Sequence, residues 1–220
     1  EAIGQNWYLG ETLITGIGQG YIQSTPLQLT LMTAQLANGG NKIFPTLIPN
    51  NKNVNEIKKE MEVNEDYDLP SNYPPLVRNK ENVKFVLDAM FKSTNEVYGT
   101  SYSSRIEDPK YQFAGKTGTA QVKRITEAER ELDRKLEQIP YKERDHAWYI
   151  AFGPYKSPRY ALTVLVEHGG SGSSAAAPIA KKLFKKIIDR HEEREKIRDK
   201  NILSSWEATA RLDKYRFIKR

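Results

Sequence analysis

Two runs of period-two hydrophobicity lie almost back to back. In HAWYIAFGPY, residues 146–155, an extended strand puts Trp148, Ile150 and Phe152 on one face. In RYALTVLVEHGG, residues 159–170, Tyr160, Leu162, Val164 and Val166 do the same. Only Lys156, Ser157 and Pro158 separate them. That link is too short for a crossover, so the two strands must pair antiparallel. A third extended candidate spans 111–122.

Helical signals surround these strands. STPLQLTLMTAQLANGG, residues 24–40, opens with Thr25 as cap, Pro26 in the first turn and Gln28 completing a T-x-x-Q capping box. Leu27, Leu31 and Ala34 recur at helical spacing, and Gly39 with Gly40 ends the run. In ENVKFVLDAMFKSTN, residues 81–95, Val83, Val86, Leu87, Met90 and Phe91 form a core stripe. In SSAAAPIAKKLFKKIIDR, residues 173–190, Ile179, Leu183, Phe184, Ile187 and Ile188 are the expected buried side. Helix, helix, three antiparallel strands, helix is an α+β order, an antiparallel sheet packed with helices.

Composition narrows the chemistry. The chain has no cysteine, which excludes disulfides, thiol catalysis and zinc–thiolate sites. His146, His168 and His191 include no pair at metal-ligand spacing. The net charge of +6 is uneven: Lys181 to Arg220 holds fourteen Lys or Arg against seven Asp or Glu, a surplus of 7, leaving −1 for the rest. Glu192, Glu193 and Glu195 interrupt that basic run, so it reads as a solvated helix and not as a nucleic-acid surface. No apolar run is long enough to span a bilayer. The opening, EAIGQNWYLGETLITGIGQGY, has neither initiator Met nor leader, and reads as the interior of a longer protein.

Residues 41–80 read as an irregular excursion, with Pro45, Pro49, Pro70, Pro74 and Pro75 among polar residues. Residues 123–145 read as a polar insertion, in which Thr126 and Glu129 could cap a short exposed helix. GIGQGY, residues 16–21, lacks the preceding strand and following acid of a dinucleotide site, so its glycines are read as letting backbone pass close to another element.

FAGKTGTAQV, residues 113–122, is an odd strand. A buried strand normally wants branched or aromatic side chains, and glycine weakens its interior. An edge strand would give the composition a purpose. Lys116 and Gly118 would then face one way, Thr117 and Thr119 the other. Gly115 and Gly118 keep bulk away, so a peptide could add to the open backbone as an extra strand. Lys116 supplies positive charge and the threonines supply hydroxyls, which suits a peptide ending in carboxylate, or an acyl carbonyl developing negative charge.

The K-T-G triad is shared with penicillin-binding proteins and β-lactamases. GIGQGYIQSTPLQL, a helix ending LANGG, FAGKTGTAQV, DHAWYIAFGP and VEHGGSGSSAAAPIA together, in this order, resemble class B penicillin-binding proteins, most nearly the elongation-type penicillin-binding protein two branch. The resemblance implies that residues 1–188 are the C-terminal portion of a transpeptidase domain, partial in extent, and that 189–220 form a basic helical tail. It implies that Lys116 lines the catalytic cleft, that Thr117, Gly118 and Thr119 hold the substrate or a β-lactam carboxylate, and that the Thr119 N–H is an oxyanion donor. Asp145, His146, Ala147, Gly169 and Gly170 also match, as scaffold around the sheet.

The implied substrates are stem peptides ending in D-Ala-D-Ala, with β-lactams as their mimics and no metal or organic cofactor. The implied partners are the upstream half of the same domain and a membrane glycosyltransferase. The implied place is the periplasmic face of the inner membrane, with any anchor upstream.

Two parts of the chemistry are not in this sequence. No serine has a lysine three residues on, so the S-x-x-K nucleophile motif is absent. The only S-x-N, Ser93-Thr94-Asn95, follows the GIGQGY block where the family has it preceding, and is expected to be coincidental. GSGSS at 170–174 is no nucleophile elbow, because its middle residue is glycine. A β-lactamase or D,D-carboxypeptidase, and a non-catalytic peptide-binding module, are the competing expectations.

Overall fold

The computed structural model describes residues 4, 6–43, 45, 76–123 and 134–216, with side chains through residue 201. It divides into two compact units, Glu1–Ala180 and Lys181–Arg220.

The first unit is built on a three-stranded antiparallel sheet: β1 (Ala114–Ala120), β2 (His146–Gly153) and β3 (Tyr160–Val166), in the order β1-β2-β3. Gly118 lies opposite Trp148, and Trp148 opposite Leu165. Partners across a ladder share a face. One face therefore carries Lys116, Ile150 and Thr163, and the other Thr117, Tyr149 and Val164. The hairpin of β2 and β3 and the odd third strand form as their patterns predict.

Four α-helices are described: α1 (Leu9–Gly16), α2 (Pro26–Ala37), α3 (Lys80–Asn95) and α4 (Ala177–Arg216). Helix α2 forms as its signals dictate. Thr25 accepts from the Gln28 N–H, Gln28 accepts from the Thr25 N–H, and Gly39 and Gly40 take the left-handed backbone after the last turn. It lies on the Ile150 face, where Thr30 Oγ1 meets Thr163 Oγ1 at 2.9 Å. Helix α3 delivers Met90 to a core cluster with Ala114 and Phe152, flanked by Leu87, Phe91 and Tyr155. A π-helical turn, Gly172–Ala176, packs against β2. On β2 itself Ala147, Tyr149 and Ala151 are fully buried, whereas Trp148 and Ile150 are half-buried.

Several expected core positions are open to solvent. Leu27 is 63% exposed, because α2 buries the side of Thr33, whose hydroxyl returns to the Leu29 carbonyl. Val86, at the margin of the α3 stripe, is exposed, whereas Thr94 at the far end of α3 is buried. In the last helical region the buried row is Ala176, Ala180, Phe184 and Ile188, and Ile179 and Leu183 face water. Phe184 and Ile188 are buried as expected, and close packing extends their i, i+4 row through the small residues Ala180 and Ala176, which hydrophobicity alone does not reveal. Helix α1 was not foreseen from sequence. It forms with Glu11 accepting from the Tyr8 N–H at 2.7 Å, and none of its residues is buried.

Residues 46–75 of the excursion lie outside the described residues, as does the capping box at Thr126 and Glu129. Of the polar insertion, the described part holds two single 3-10 turns, Leu136–Gln138 and Tyr141–Glu143. In the second unit, charges of both signs interleave along α4, with His191 and Glu195 paired at 3.1 Å. No helix among the described residues is long and apolar enough to cross a membrane.

Candidate active site at the open margin of the sheet

Strand β1 pairs with β2 alone among the described residues, so it is an edge. Which of its backbone groups face outward follows from Gly172. A Cβ built there would crowd the Trp148 carbonyl oxygen and lie 2.8 Å from that of Gly118. Both carbonyls must then point into the seam between the strands, making Gly118 and Trp148 a hydrogen-bonded pair. Successive residues alternate, so Thr117 and Thr119 turn their N–H and C=O groups to the open side. Any side chain at 172 would strike this seam, which explains the glycine.

The start of the margin is closed by the end of α3. Asn95 Nδ2 donates to the Phe113 carbonyl at 2.9 Å and to that of Phe91 at 3.0 Å. Tyr149 reaches across Gly115, where any Cβ would collide with the phenol, and meets Thr94 Oγ1 at 2.9 Å and Ser101 Oγ at 3.1 Å. Gly115 thus serves packing against Tyr149, not ligand access alone. Burial pushes the Tyr149 phenol above its ordinary value, and the bonds to Ser101 and Thr94 offset part of that rise. Asn95 of the S-x-N triplet is consumed by these backbone contacts.

From Lys116 to Ala120 the margin borders a groove of ≈ 670 Å³, within the range of small-ligand sites, about 300–1,000 Å³. Lys116, Thr117, Gly118 and Thr119 all line it, together with Trp148 and Leu29. The Lys116 side chain is exposed and its Nζ donates to the outward Thr117 carbonyl at 2.8 Å. The ammonium is therefore held at the open margin, where a carboxylate could exchange places with that carbonyl. Thr117 Oγ1 meets Thr100 Oγ1 at 3.2 Å, which in turn meets Ser93 Oγ at 3.2 Å. All four predicted site residues are brought together here.

Sequence reasoning missed Thr100, Ser93 and Gln19. Thr100 sits in a hydroxyl-rich run, TSYSS, just after Gly99, but only the fold brings that run under β1. Gln19 is the lone polar side chain among the GIGQG glycines, and its Nε2 donates to the Thr119 carbonyl at 3.1 Å.

The matching scaffold residues lie beyond the strand. Asp145 Oδ1 accepts from the Val122 N–H at 3.2 Å, and its carbonyl accepts from the Gly170 N–H at 2.8 Å. His146 Nδ1 accepts from the His168 N–H at 2.9 Å, with the two rings 4.7 Å apart. These contacts tie the chain after β1, β2 and the segment after β3 together, and of these residues Val122 alone lines the groove.

The chain is similar to known proteins over most of its length. The penicillin binding protein transpeptidase domain family matches residues 1–185. The peptidoglycan D,D-transpeptidase MrdA of Salmonella typhimurium is 36% identical over 185 residues, covering 83% of this chain and 28% of that protein. MrdA of Haemophilus influenzae is 38% identical over 182 residues, 81% of this chain and 26% of that protein. The chain thus spans under a third of these relatives. Among solved structures, the complex of penicillin-binding protein PBP2 with MreC from Helicobacter pylori superposes with a TM-score of 0.63 at 32% identity, over 85% of this chain and 29% of that one. Pseudomonas aeruginosa PBP2 in complex with WCK 5153 gives 0.57 at 36%, over 80% and 32%. The α+β sheet with its packed helices is the fold of those domains, and the chain belongs to the penicillin-binding protein transpeptidase family.

Proposed function

We propose that this chain supplies the substrate-binding edge strand of a peptidoglycan D,D-transpeptidase. A stem peptide ending in D-Ala-D-Ala adds along Thr117–Thr119, its terminal carboxylate held by Lys116 and the threonine hydroxyls. A β-lactam takes the same place. The observation that carries this reading is the open margin of β1, with Lys116 Nζ 2.8 Å from an outward carbonyl.

In the parent protein a serine outside these 220 residues attacks the penultimate D-alanine carbonyl and expels the terminal D-alanine. The Thr119 N–H, aimed outward, stabilises the oxyanion. An amine of a second stem then attacks the acyl-enzyme and restores the serine. The groups this chain contributes are Lys116 and Thr119 for the reaction and Thr117 and Gly118 for binding. Without the serine it forms no acyl-enzyme, and the upstream half of the domain completes the site. The parent works at the periplasmic face of the inner membrane. Its partners there are a membrane glycosyltransferase that supplies glycan strands and, by analogy with the Helicobacter pylori complex, a protein of the MreC kind.

Two measurements test the proposal. Titrating the labelled chain with an N-acetylated peptide ending in D-Ala-D-Ala should shift the amide resonances of Gly115 to Ala120, and Lys116→Ala should weaken binding roughly tenfold or more, the worth of a charge-assisted hydrogen bond. Fluorescent penicillin should leave no covalent adduct. Binding indifferent to Lys116→Ala would defeat the substrate assignment, and an adduct would defeat the claim of an external nucleophile.

A further inference from the structure

The GIGQG turn does more than pass near the sheet. Gln19 is flanked by Gly18 at φ +75° and Gly20 at φ +76°, both in left-handed backbone. Its own N–H donates to the Ile14 carbonyl at 3.1 Å, and the Gly18 N–H donates to that of Thr15 at 2.9 Å, so the turn closes the end of α1. A Cβ on Gly20 would lie 3.1 Å from Ile14 Cγ2, which leaves little room to remodel it. This backbone aims the Gln19 side chain across a hundred residues of sequence at the Thr119 carbonyl, 3.1 Å from Nε2.

That carbonyl is one of the outward acceptors of β1. A primary carboxamide presents the same N–H donor that a peptide backbone presents, so Gln19 makes the bond an added strand would make. We propose that Gln19 is a built-in competitor for the open margin: its carboxamide caps the Thr119 acceptor in the unliganded state, and a D-alanyl peptide must displace it to pair past Thr117. This deepens the proposed function and rests on it. The physical consequence has two parts. The edge is blunted against pairing with unrelated strands, which an exposed margin of glycines and small residues otherwise invites. Ligands that offer a well-placed amide N–H are favoured over those that offer only a carboxylate, because only the former replace the bond they break.

The test uses the 220-residue chain, the N-acetylated D-Ala-D-Ala peptide and three variants. Gln19→Met keeps the length and removes the donor. Gln19→Asn keeps the amide but falls one methylene short. Lys116→Ala reports on the binding site itself. In the wild-type chain the Gln19 side-chain amide resonances should move toward solvent-exposed values as peptide saturates. Gln19→Met and Gln19→Asn should both bind the peptide about fivefold tighter, the worth of one neutral hydrogen bond.

If peptide binding depends on Lys116 while Gln19→Met and Gln19→Asn bind no tighter and the Gln19 amide stays put, the competitor role is wrong and the site assignment stands. If binding is indifferent to Lys116→Ala, or no chain binds at all, the site assignment fails and the competitor role falls with it. Weaker binding by Gln19→Met would show that Gln19 contacts the ligand directly, and would also overturn the role.

Discussion

At the scale of single residues, the strand at the margin depends on a pair the sequence does not display as a pair. Gly115 and Tyr149 lie thirty-four positions apart, and only the register of β1 on β2 places the phenol over the glycine. Gly115→Ala would drive its methyl into the Tyr149 ring, so a loss of about 1–3 kcal/mol is expected in chemical denaturation, typical of an overpacked core. Tyr149 also sets an alkaline limit. Its phenol is held above the ordinary 10.0 by burial, so the fold favours the neutral form. That contribution is fully present below the unfolded value near pH 10 and is lost as pH rises through the higher folded value. Unfolding midpoints followed upward from pH 9 should therefore fall in the wild-type chain and stay flatter in Tyr149→Phe. A Tyr149→Phe curve that falls in parallel would assign the alkaline limit to other groups. The K-T-G run, by contrast, is marked in the sequence by its glycines and lysine, and its reading as a site rests on the ordered blocks around it, GIGQGY, DHAWYIAFGP and VEHGG.

At the scale of elements, what could be read was what local chemistry dictates. The cap, box and terminating glycines of α2 all appear where the sequence puts them, since each bond closes within a few residues. Thr25→Ala should accordingly cost about 1 kcal/mol in thermal unfolding, and Thr25→Ser almost nothing. What could not be read was which row of a helix meets its neighbour. Leu27, Val86, Ile179 and Leu183 were expected inside on hydrophobicity and are exposed, whereas Val83, Met90, Phe184 and Ile188 are buried as expected, beside Thr94 and Ala180, which were not foreseen, as Thr33 was not on α2. Small and hydroxylated residues enter the buried rows because the elements approach closely and because hydroxyls bond back to the helix, as Thr33 does to Leu29. The hydroxyl line from Ser93 through Thr100 to Thr117 belongs to the same class of unreadable feature. It steadies Thr117 from beneath. Thr100→Val should weaken D-Ala-D-Ala peptide binding several-fold while shifting the melting temperature little, because Thr100 itself is exposed. Equal losses in the two readouts would reduce the line to plain structural support.

At the scale of the whole molecule, the first unit presents apolar surface that a self-sufficient domain would not. Leu9 is 78% exposed, Leu13 68% and Ile17 77%, and Trp7, Tyr8 and Leu27 add to the same stretch of chain. Single exposed hydrophobics are ordinary, but a helix with no buried residue and a concentration of Leu, Ile and aromatic side chains marks a contact surface. The chain spans 28% of the length of the Salmonella typhimurium relative. On its own the chain should therefore associate at micromolar concentration, seen as a concentration-dependent shift in sedimentation velocity. Leu13→Asp with Ile17→Asp should return it to monomer without unfolding it, since neither side chain is buried. If the proposed function holds, supplying in trans the serine-bearing part that it requires should replace self-association by a one-to-one complex, and should bring fluorescent penicillin labelling with it. The same complex formed equally well by the Leu13→Asp, Ile17→Asp variant would place the join elsewhere on the unit and free the α1 surface for a different partner.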